Sequence, residues 1–343
     1  TGFGIKDSIK SITYNQFDEI QINDMSVVFN DPWDEMDNSD FEEIMADNAE
    51  RYTLVFEEST DLTKDDKSKS LTLVIPEKAE DISSFLNLHT TRDVPIAFPG
   101  KGEVVLTEKL ADKCGAGIGD MVTLQDDDMN TLELKVSGIS ENYVYNYAYI
   151  SPETWTEQIG SAPEYKSAYI NVKEEKDVHS VSAAVMNCDG VASVTVNADM
   201  KVRFSSMMKS LDYVVLLIIG CAGSLAFIVL YNLTNINITE RLREIATIKV
   251  LGFYRRETAS YVFRENLVLT GIGAGVGLIM GRYLHQFVMY NIDIDMIAFD
   301  VHIAPLSVLY SIVLTFVFAG IVDWAMNKKL DGINMAESMK SVE

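Results

Sequence analysis

The chain has 343 residues, of which 51 are acidic and 28 basic, and its formal net charge is −23. The acidic excess is confined to residues 1–205, which carry 39 Asp and Glu against 17 Lys and Arg, whereas residues 206–343 carry 12 against 11. Because the acidic part contains no basic patch, the composition argues against nucleic acid as a partner. About 200 residues are enough for this part to bury a core of its own.

Residues 1–198 alternate between strand-like and helix-like patterns. Strands are predicted at Leu71–Ile75, Glu103–Leu106, Met121–Leu124, Thr131–Ile139, Tyr143–Ile150, Ala168–Val172 and Val191–Val196. Helices are predicted at Phe17–Asp24, Asp40–Arg51, Glu108–Cys114, Pro152–Ile159 and Val178–Met186. Gly115–Asp120 is typical of a turn between helix and strand, and Asp126–Asn130 of a hairpin turn. This order predicts an α+β domain over residues 1–198.

The segment after this domain has one apolar helical face. Met200, Phe204, Met207 and Leu211 recur at spacings of four, three and four residues. We therefore expect a stalk helix that leads into the first apolar run. A flexible linker is the alternative, but the stretch contains neither Gly nor Pro.

Three apolar runs complete the chain, at about 213–233, 267–289 and 305–325. A bilayer core about 30 Å thick needs about 20 residues of helix, and each run has that length. A buried helix of a water-soluble protein would explain a single run, but not three in the last third of the chain. All three lie far from the N-terminus, so none is a signal peptide. Residues 199–343 are thus predicted to be a stalk and an α-helical membrane domain with three transmembrane helices.

Lysine and arginine placement predicts the orientation of these helices. The segment 234–264, which we call the connector, carries six basic residues, and the tail after the third run carries three. The loop 290–304 carries none and has three aspartates. The positive-inside rule puts the connector and the tail in the cytoplasm and residues 1–205 outside. Since the chain starts without a signal sequence, we expect at least one further span before it.

The connector itself has the pattern of an amphipathic helix. Ile238, Leu242, Ile245 and Ile248 form an apolar stripe, and oppositely charged side chains three residues apart can support the helix. Gly252 is well placed as the C′ glycine that ends it, and a second helix is expected from about Arg255. Two interpretations remain open at this point: a solvated helix that flanks the membrane, or a docking helix for a cytoplasmic partner.

The connector and the start of the second run, TERLREIATIKVLGFYRRETASYVFRENLVL, resemble the signature of the FtsX-like permease family. The matching residues are Glu240, Arg241, Glu244, Ile245, Lys249, Leu251, Gly252 and Glu265. More weakly, VVLTEKLADKCGAGIGDMVTL and LELKVSGISENYVYNYAYISPETW are similar to the MacB-like extracytoplasmic core domain. The start, TGFGIKDSI, resembles the segment after a transmembrane helix in the long two-repeat permeases of this family, which suggests a C-terminal repeat.

The resemblance implies a multi-pass permease subunit of an ABC-type complex in the bacterial cytoplasmic membrane. It implies a separate ATPase dimer on the cytoplasmic side, a second permease half or protomer, the lipid bilayer and an unidentified extracellular ligand as partners. The implied ATPase-docking residues are Glu240, Arg241, Arg243, Glu244, Ile245, Lys249, Gly252, Arg255 and Glu265. Two functions fit: export or extraction of a peptide, lipoprotein or amphiphile, and regulation, in which the outer domain activates a cell-wall hydrolase or senses peptides.

No enzyme or cofactor site is evident. The sequence lacks the P-loop pattern, so we expect no ATPase activity in this chain. The four histidines are scattered without metal-ligand spacing, and the acidic clusters lack the EF-hand register, so no metal site is predicted. Tyr143, Tyr145, Tyr147 and Tyr149 would suit a cationic or amphiphilic ligand, although ordinary strand packing explains them equally well.

The remaining candidates concern packing. Gly273, Gly277 and Gly281 are spaced by four residues, which predicts a small-residue face that meets another membrane helix. Arg282 and His285 lie near the outer end of the second run, where their side chains can reach the headgroups. Cys114 and Cys188 both lie in the exported part, where a disulfide between them is a hypothesis.

Overall fold

A computed structural model describes residues 2–65, 67–126, 129–174, 176–291, 297–299 and 301–331. Internal contacts divide the chain into two units. The helical unit comprises Thr1–Ile9, Met208–Ile292 and Val301–Glu343, and the α+β unit comprises Lys10–Met207 and Asp293–Asp300. The first residues are thus grouped with the membrane helices, whereas the sequence analysis put them in the N-terminal domain.

The described residues form nine helices and nine strands, apart from short π- and 3₁₀-helical turns. The helices are α1 Gly2–Tyr14, α2 Ser39–Asn48, α3 Glu108–Cys114, α4 Pro152–Ile159, α5 Val178–Met186, α6 Asn197–Glu240, α7 Leu242–Val250, α8 Arg255–Asn291 and α9 Pro305–Asp331. The strands are β1 Met25–Phe29, β2 Ala49–Lys64, β3 Lys67–Pro76, β4 Glu103–Thr107, β5 Met121–Gln125, β6 Thr131–Ser140, β7 Tyr147–Tyr149, β8 Ser167–Val172 and β9 Val191–Val196.

Half of the α+β unit is a four-stranded antiparallel sheet with the order β2-β8-β1-β9. Two helices cover one of its faces, because Phe41 and Met45 of α2 and Val181 and Val185 of α5 share one buried cluster with the apolar strand residues. Asp177 begins α5 by accepting a hydrogen bond from the Ser180 backbone N–H.

The other half is a closed ring of six strands. β2 pairs with β3, β3 with β7, β7 with β4, β4 with β6, β6 with β5, and β5 again with β2. Alternating apolar residues of these strands form a second buried cluster, which also takes in Leu110 and Cys114 of α3 and Trp155 of α4. β2 belongs to both halves: residues up to Val55 pair with β8, and Val55–Lys64 pair with β3.

The helical unit contains the three predicted membrane helices. Among the described residues, Asn197–Glu240, Arg264–Asn291 and Pro305–Met326 are long and apolar enough to cross a bilayer. The predicted stalk and first span are parts of one helix, α6. The α+β domain followed by three membrane helices is therefore confirmed as the fold class.

Most locally encoded elements were predicted well, and the errors have identifiable causes. β1 and β2 were missed, and the helix predicted over Asp40–Arg51 ends at Asn48 because β2 begins at the next residue. In place of the helix predicted at Phe17–Asp24, a π-helical turn covers Asn15–Ile20 and an extended segment comes after it.

The strand predicted over Tyr143–Ile150 was largely wrong. Asn142 Nδ2 donates to the carbonyl oxygens of Val144 and Tyr145, at 2.8 Å each, and Tyr145 has a left-handed φ of 62°. The chain therefore turns before β7 begins. Tyr143 and Tyr149 are buried while Tyr145 is half exposed, so the four tyrosines do not form one surface.

The hypothesised disulfide is absent from the structure. Cys114 and Cys188 are both free and buried. They belong to two different core clusters, one in the six-stranded ring and one under the four-stranded sheet. Each thiol acts as a small apolar side chain, and burial raises the pKa of both.

A largely buried carboxyl group lies where the two halves of the α+β unit meet. Glu57 of β2 accepts a hydrogen bond from the Tyr169 hydroxyl of β8. Burial raises the pKa of Glu57, although hydrogen bonds from Tyr169 and Ser167 lower it in part. A folded-state pKa above the unfolded value means that this carboxyl contributes stability at acid pH and loses it as the pH rises through the folded pKa.

We expect Glu57→Gln to raise the melting temperature of the α+β unit by about 2 °C or more at about pH 8, because the amide can still accept from Tyr169 without burying a charge. The gain should shrink at about pH 4. Fluorescence of Trp33 and Trp155 in the purified chain would report the transition. Glu50→Gln, at an exposed position of the same strand, is the control; equal effects of both changes would contradict the role of Glu57.

Candidate functional site

The connector folds as two helices joined by a tight turn. α7 ends with Gly252 in a left-handed conformation, φ 89°, and the Phe253 N–H donates to the Ile248 carbonyl at 3.4 Å. This is the glycine-ended helix that the sequence predicts. The Glu257 carboxylate accepts from the Tyr254 N–H at 2.9 Å and so caps the start of α8.

An ion pair fixes the start of α7 against α8. The two terminal nitrogens of the Arg241 guanidinium group donate to the two carboxylate oxygens of Glu265, Nη2 to Oε1 at 2.8 Å. The side chains are 36% and 42% exposed, so water screens the pair in part. Two predicted site residues that stand 24 positions apart in the sequence are therefore in direct contact.

The next residue of α8 joins the three membrane helices. Asn266 Nδ2 lies 2.7 Å from Asp323 Oδ1 of α9 and 3.2 Å from Thr234 Oγ1 of α6. Asn266 and Thr234 are buried. Polar side chains within membrane helices stabilise a bundle when they bond across helices, and they otherwise carry a desolvation cost.

An apolar cluster attaches α7 to α9. Ile245 is 1% exposed and packs with Ile238, Val322 and Met326. Two members of the predicted apolar stripe are therefore buried, while Ile248 is half-buried. The side chain of Leu242, the fourth member, lies outside the described part of the structure.

The opposite side of the connector is exposed. Glu240, Arg243 and Glu244 present charged groups there. At the turn, Leu251 and Tyr254 are 71% and 79% exposed and Phe253 is 53% exposed. The side chains of two other predicted docking residues, Lys249 and Arg255, lie outside the described part of the structure.

The glycine face of α8 borders a large cavity of about 1370 Å³ within the helical unit. Gly273, Gly277 and Gly281 contribute to its lining, as do apolar residues of α6 and α9. An added Cβ at Gly273 or Gly277 would meet nothing within 4 Å. At Gly273 and Gly277, within the described part of the chain, this face is therefore open instead of packed against a neighbouring helix.

His285 does not reach toward the headgroups as expected. It is fully buried, and its Nε2 lies 3.3 Å from the Ser8 Oγ of α1, which also contacts the His302 backbone. Arg282 is exposed and borders the cavity.

Sequence reasoning missed one grouping in the α+β unit. His89, Asp93 and Glu141 bring three possible metal-ligand atoms within 4.8 Å of one another. His89 and Asp93 are four residues apart, which a hairpin turn could have suggested, but Glu141 comes from a distant loop. No local signal in the sequence therefore indicates this grouping.

Comparison with known families identifies the helical unit. The helical unit combines three helices that are long and apolar enough to cross a membrane with a capped two-helix connector. Residues 216–334 match the family model of the FtsX-like permease C-terminal domain. The chain thus contains a segment that matches an FtsX-like permease domain. Members of this family are in general non-enzymatic membrane subunits whose ATPase is a separate subunit.

Two solved structures are similar to part of the chain. The periplasmic region of MacB from Actinobacillus actinomycetemcomitans covers 54% of this chain and 94% of its own, with 13% identity and a TM-score of 0.36. The extracellular domain of the noncanonic ABC-type transporter YknZ from Gram-positive bacteria covers 50% and 99%, with 13% identity and a TM-score of 0.35. The comparison with curated proteins finds no match.

The ion pair between α7 and α8 leads to a charge-swap prediction. Arg241→Glu and Glu265→Arg should each loosen α7, and the double variant should recover part of the loss, with a coupling of about 0.5–1 kcal/mol. Amide hydrogen exchange of residues 242–250 in the detergent-purified chain would measure it. Additive effects of the two changes would show that the pair contributes no coupling.

Proposed function

We propose that this chain is the permease subunit of an ABC-type complex that transmits ATPase-driven movement across the membrane to the α+β unit. In this proposal the connector and the tail are cytoplasmic, and the α+β unit faces the outside of a bacterial cytoplasmic membrane. The charge asymmetry of the sequence supports this orientation, because the connector is rich in Arg and the loop 290–304 has only acidic charges.

The observation that carries the proposal is the construction of the connector. One side of α7 is attached to the membrane helices, through the Arg241–Glu265 ion pair and the buried Ile245. The other side presents charged groups and a strongly exposed apolar turn. A merely solvated flanking helix has no need for an exposed turn of Leu251, Phe253 and Tyr254, whereas a docking surface combines such apolar anchors with a charged rim.

The same contacts give a route for movement. A displacement of α7 acts on α8 through Glu265, and the neighbouring Asn266 links α8 with α6 and α9. Closure of an ATPase dimer against the connector would therefore move three membrane helices together. This movement would change the position of the α+β unit. The change would act either on an exported or extracted molecule or on a regulated partner.

A second permease half fits the open glycine face. Gly273 to Gly281 extend over about 12 Å of helix axis. Small residues allow the backbones of membrane helices to approach closely, and the cavity beside this face leaves space for an apolar helix. We therefore place the second half of the permease, as a separate protomer or a second repeat, against α8.

The first test is purification of the full-length protein from its own membranes, with identification of co-purifying subunits by mass spectrometry. A stoichiometric P-loop ATPase is the expected result. If an extracellular hydrolase co-purifies, the function of the complex is regulation. If no hydrolase is found but a peptide or amphiphile is bound, the function is export. A protein that remains alone after gentle crosslinking would contradict the proposal.

The exposed charges of the connector provide a sharper test. Swapping them in Arg243→Glu with Glu244→Arg should weaken association with the ATPase about tenfold, which corresponds to about 1.4 kcal/mol. The control is Lys101→Glu with Glu157→Lys, a swap of an exposed ion pair with a separation of 3.1 Å in the α+β unit. Equal retention of the ATPase by both variants, at unchanged melting temperatures, would contradict the docking role.

The open face is tested by filling it. Gly277→Leu should reduce co-purification of the second permease half, because the added side chain occupies the space for its helix. Gly220→Leu is the matched control, since an added Cβ there also meets nothing within 4 Å but the residue does not line the cavity. Assembly that is unaffected by Gly277→Leu, or equally reduced by both changes, would show that the partner binds elsewhere.

A further inference from the structure

We propose that His89, Asp93 and Glu141 form a binding site for a divalent transition-metal ion of the zinc type, linked through Tyr143 to the residues that connect the α+β unit with the membrane helices. Possible ligand atoms of the three residues lie within 4.8 Å of one another. Nothing in the proposed transmission mechanism requires this grouping.

Backbone hydrogen bonds hold the three residues together. The Ile96 N–H donates to the Leu88 carbonyl at 2.8 Å, and the Asp93 N–H to the Thr90 carbonyl at 2.9 Å, so the chain from His89 doubles back at Asp93. The Glu141 N–H donates to the His89 carbonyl at 2.8 Å. These backbone contacts bring one imidazole and two carboxylates close together even when no metal ion is bound.

The distances suit a zinc site. His89 Nδ1 lies 3.4 Å from Glu141 Oε2 and 3.1 Å from the Thr90 carbonyl oxygen. Two ligands of a tetrahedral zinc ion lie about 3.3 Å apart when the metal–ligand distances are about 2.0–2.1 Å, so a metal ion on Nδ1 would take the place of its proton and of the contact with Thr90. Asp93 is exposed at the turn, and its carboxylate lies within 4.8 Å of the other two ligand atoms. Water would take the fourth position.

Charge and burial support the same assignment. The side chains of His89 and Glu141 are only 7% and 11% exposed. Two carboxylates and a neutral imidazole balance the charge of a divalent ion, and a nitrogen ligand favours zinc over magnesium or calcium.

The two carboxylate oxygens of Glu141 contact different residues. Oε2 faces His89, while Oε1 accepts a hydrogen bond from the Tyr143 hydroxyl, which in turn accepts from Asn15 Nδ2 at 2.9 Å. A metal ion on Oε2 would leave the Tyr143 contact intact and would fix its orientation, as outer-shell hydrogen bonds do in metal sites.

Tyr143 belongs to an apolar cluster with members from both segments of the α+β unit, Lys10–Met207 and Asp293–Asp300. Ile12 and Ile20 lie near the start of the first segment, Phe204 lies near its end, and Ile297 and Phe299 lie in the second segment. The Ala298 N–H also donates to the Tyr143 carbonyl at 2.8 Å. Zinc binding at Glu141 should therefore reduce the mobility of this cluster.

The test uses the full chain, stripped of metal with a chelator and titrated with zinc chloride by calorimetry. One zinc ion per chain is expected, with binding weakened at least about tenfold in His89→Gln and Asp93→Asn. His179→Gln is the control, because His179 pairs with Asp199 at 3.8 Å in an exposed position without belonging to the grouping. Asp93→Asn changes an exposed residue, so loss of folding does not obscure the result. Calcium and magnesium chloride should bind far more weakly.

Hydrogen exchange tests the link. Zinc should slow exchange at residues 15–20 in the unaltered chain, and Tyr143→Phe should remove this protection while zinc affinity changes by less than about threefold. The absence of saturable binding, or equal affinity in the His89, Asp93 and His179 variants, would overturn the site. Zinc-dependent protection that persists in Tyr143→Phe would overturn the link to the cluster.

Discussion

Two consecutive residues of α8 hold the helical unit together. Glu265 pairs with Arg241 at the start of α7, and Asn266 bonds to Thr234 of α6 and Asp323 of α9. Polar groups at the depth of a bilayer are costly unless they have partners, so these contacts fix which faces of the helices meet. The position of the connector, and hence of its exposed turn, depends on this short stretch.

The proposed transmission depends on the order of these contacts along the chain. The exposed side of α7 and its attached side are separated by about half a helical turn, so in the proposed function one short helix would both receive a displacement and pass it on. The Schellman-type end at Gly252 allows a sharp reversal into α8. The exposed side has the composition expected of a surface that a partner covers.

The elements that the sequence predicts well are those whose limits are set locally. α3 ends at the left-handed Gly115, α4 begins with Ser151 before a proline and ends at Gly160, and α5 begins at Asp177. The membrane helices are predictable from length and hydropathy alone. Gly252 likewise ends α7 as predicted.

β2, an element that depends on distant partners, was not predicted. β2 contains several charged residues in place of a regular alternation, and its conformation comes from pairing with β3, β5 and β8. The same limit applies to the sites: Arg241 and Glu265 were recognised through family resemblance, whereas the approach of Glu141 to His89 has no local pattern. The openness of the glycine face also depends on tertiary structure, because glycine spacing predicts a close contact without naming its partner.

The length of β2 has a consequence for how the α+β unit unfolds. Its first residues belong to the four-stranded sheet and its later residues to the six-stranded ring, and Val55 pairs with both β8 and β3. Each half has a core cluster of its own. If one half unfolds, however, β2 loses part of its pairing, and the other half then loses support for one of its strands. The two cores therefore form a single cooperative folding unit, and an intermediate in which only one of them is intact would have little stability.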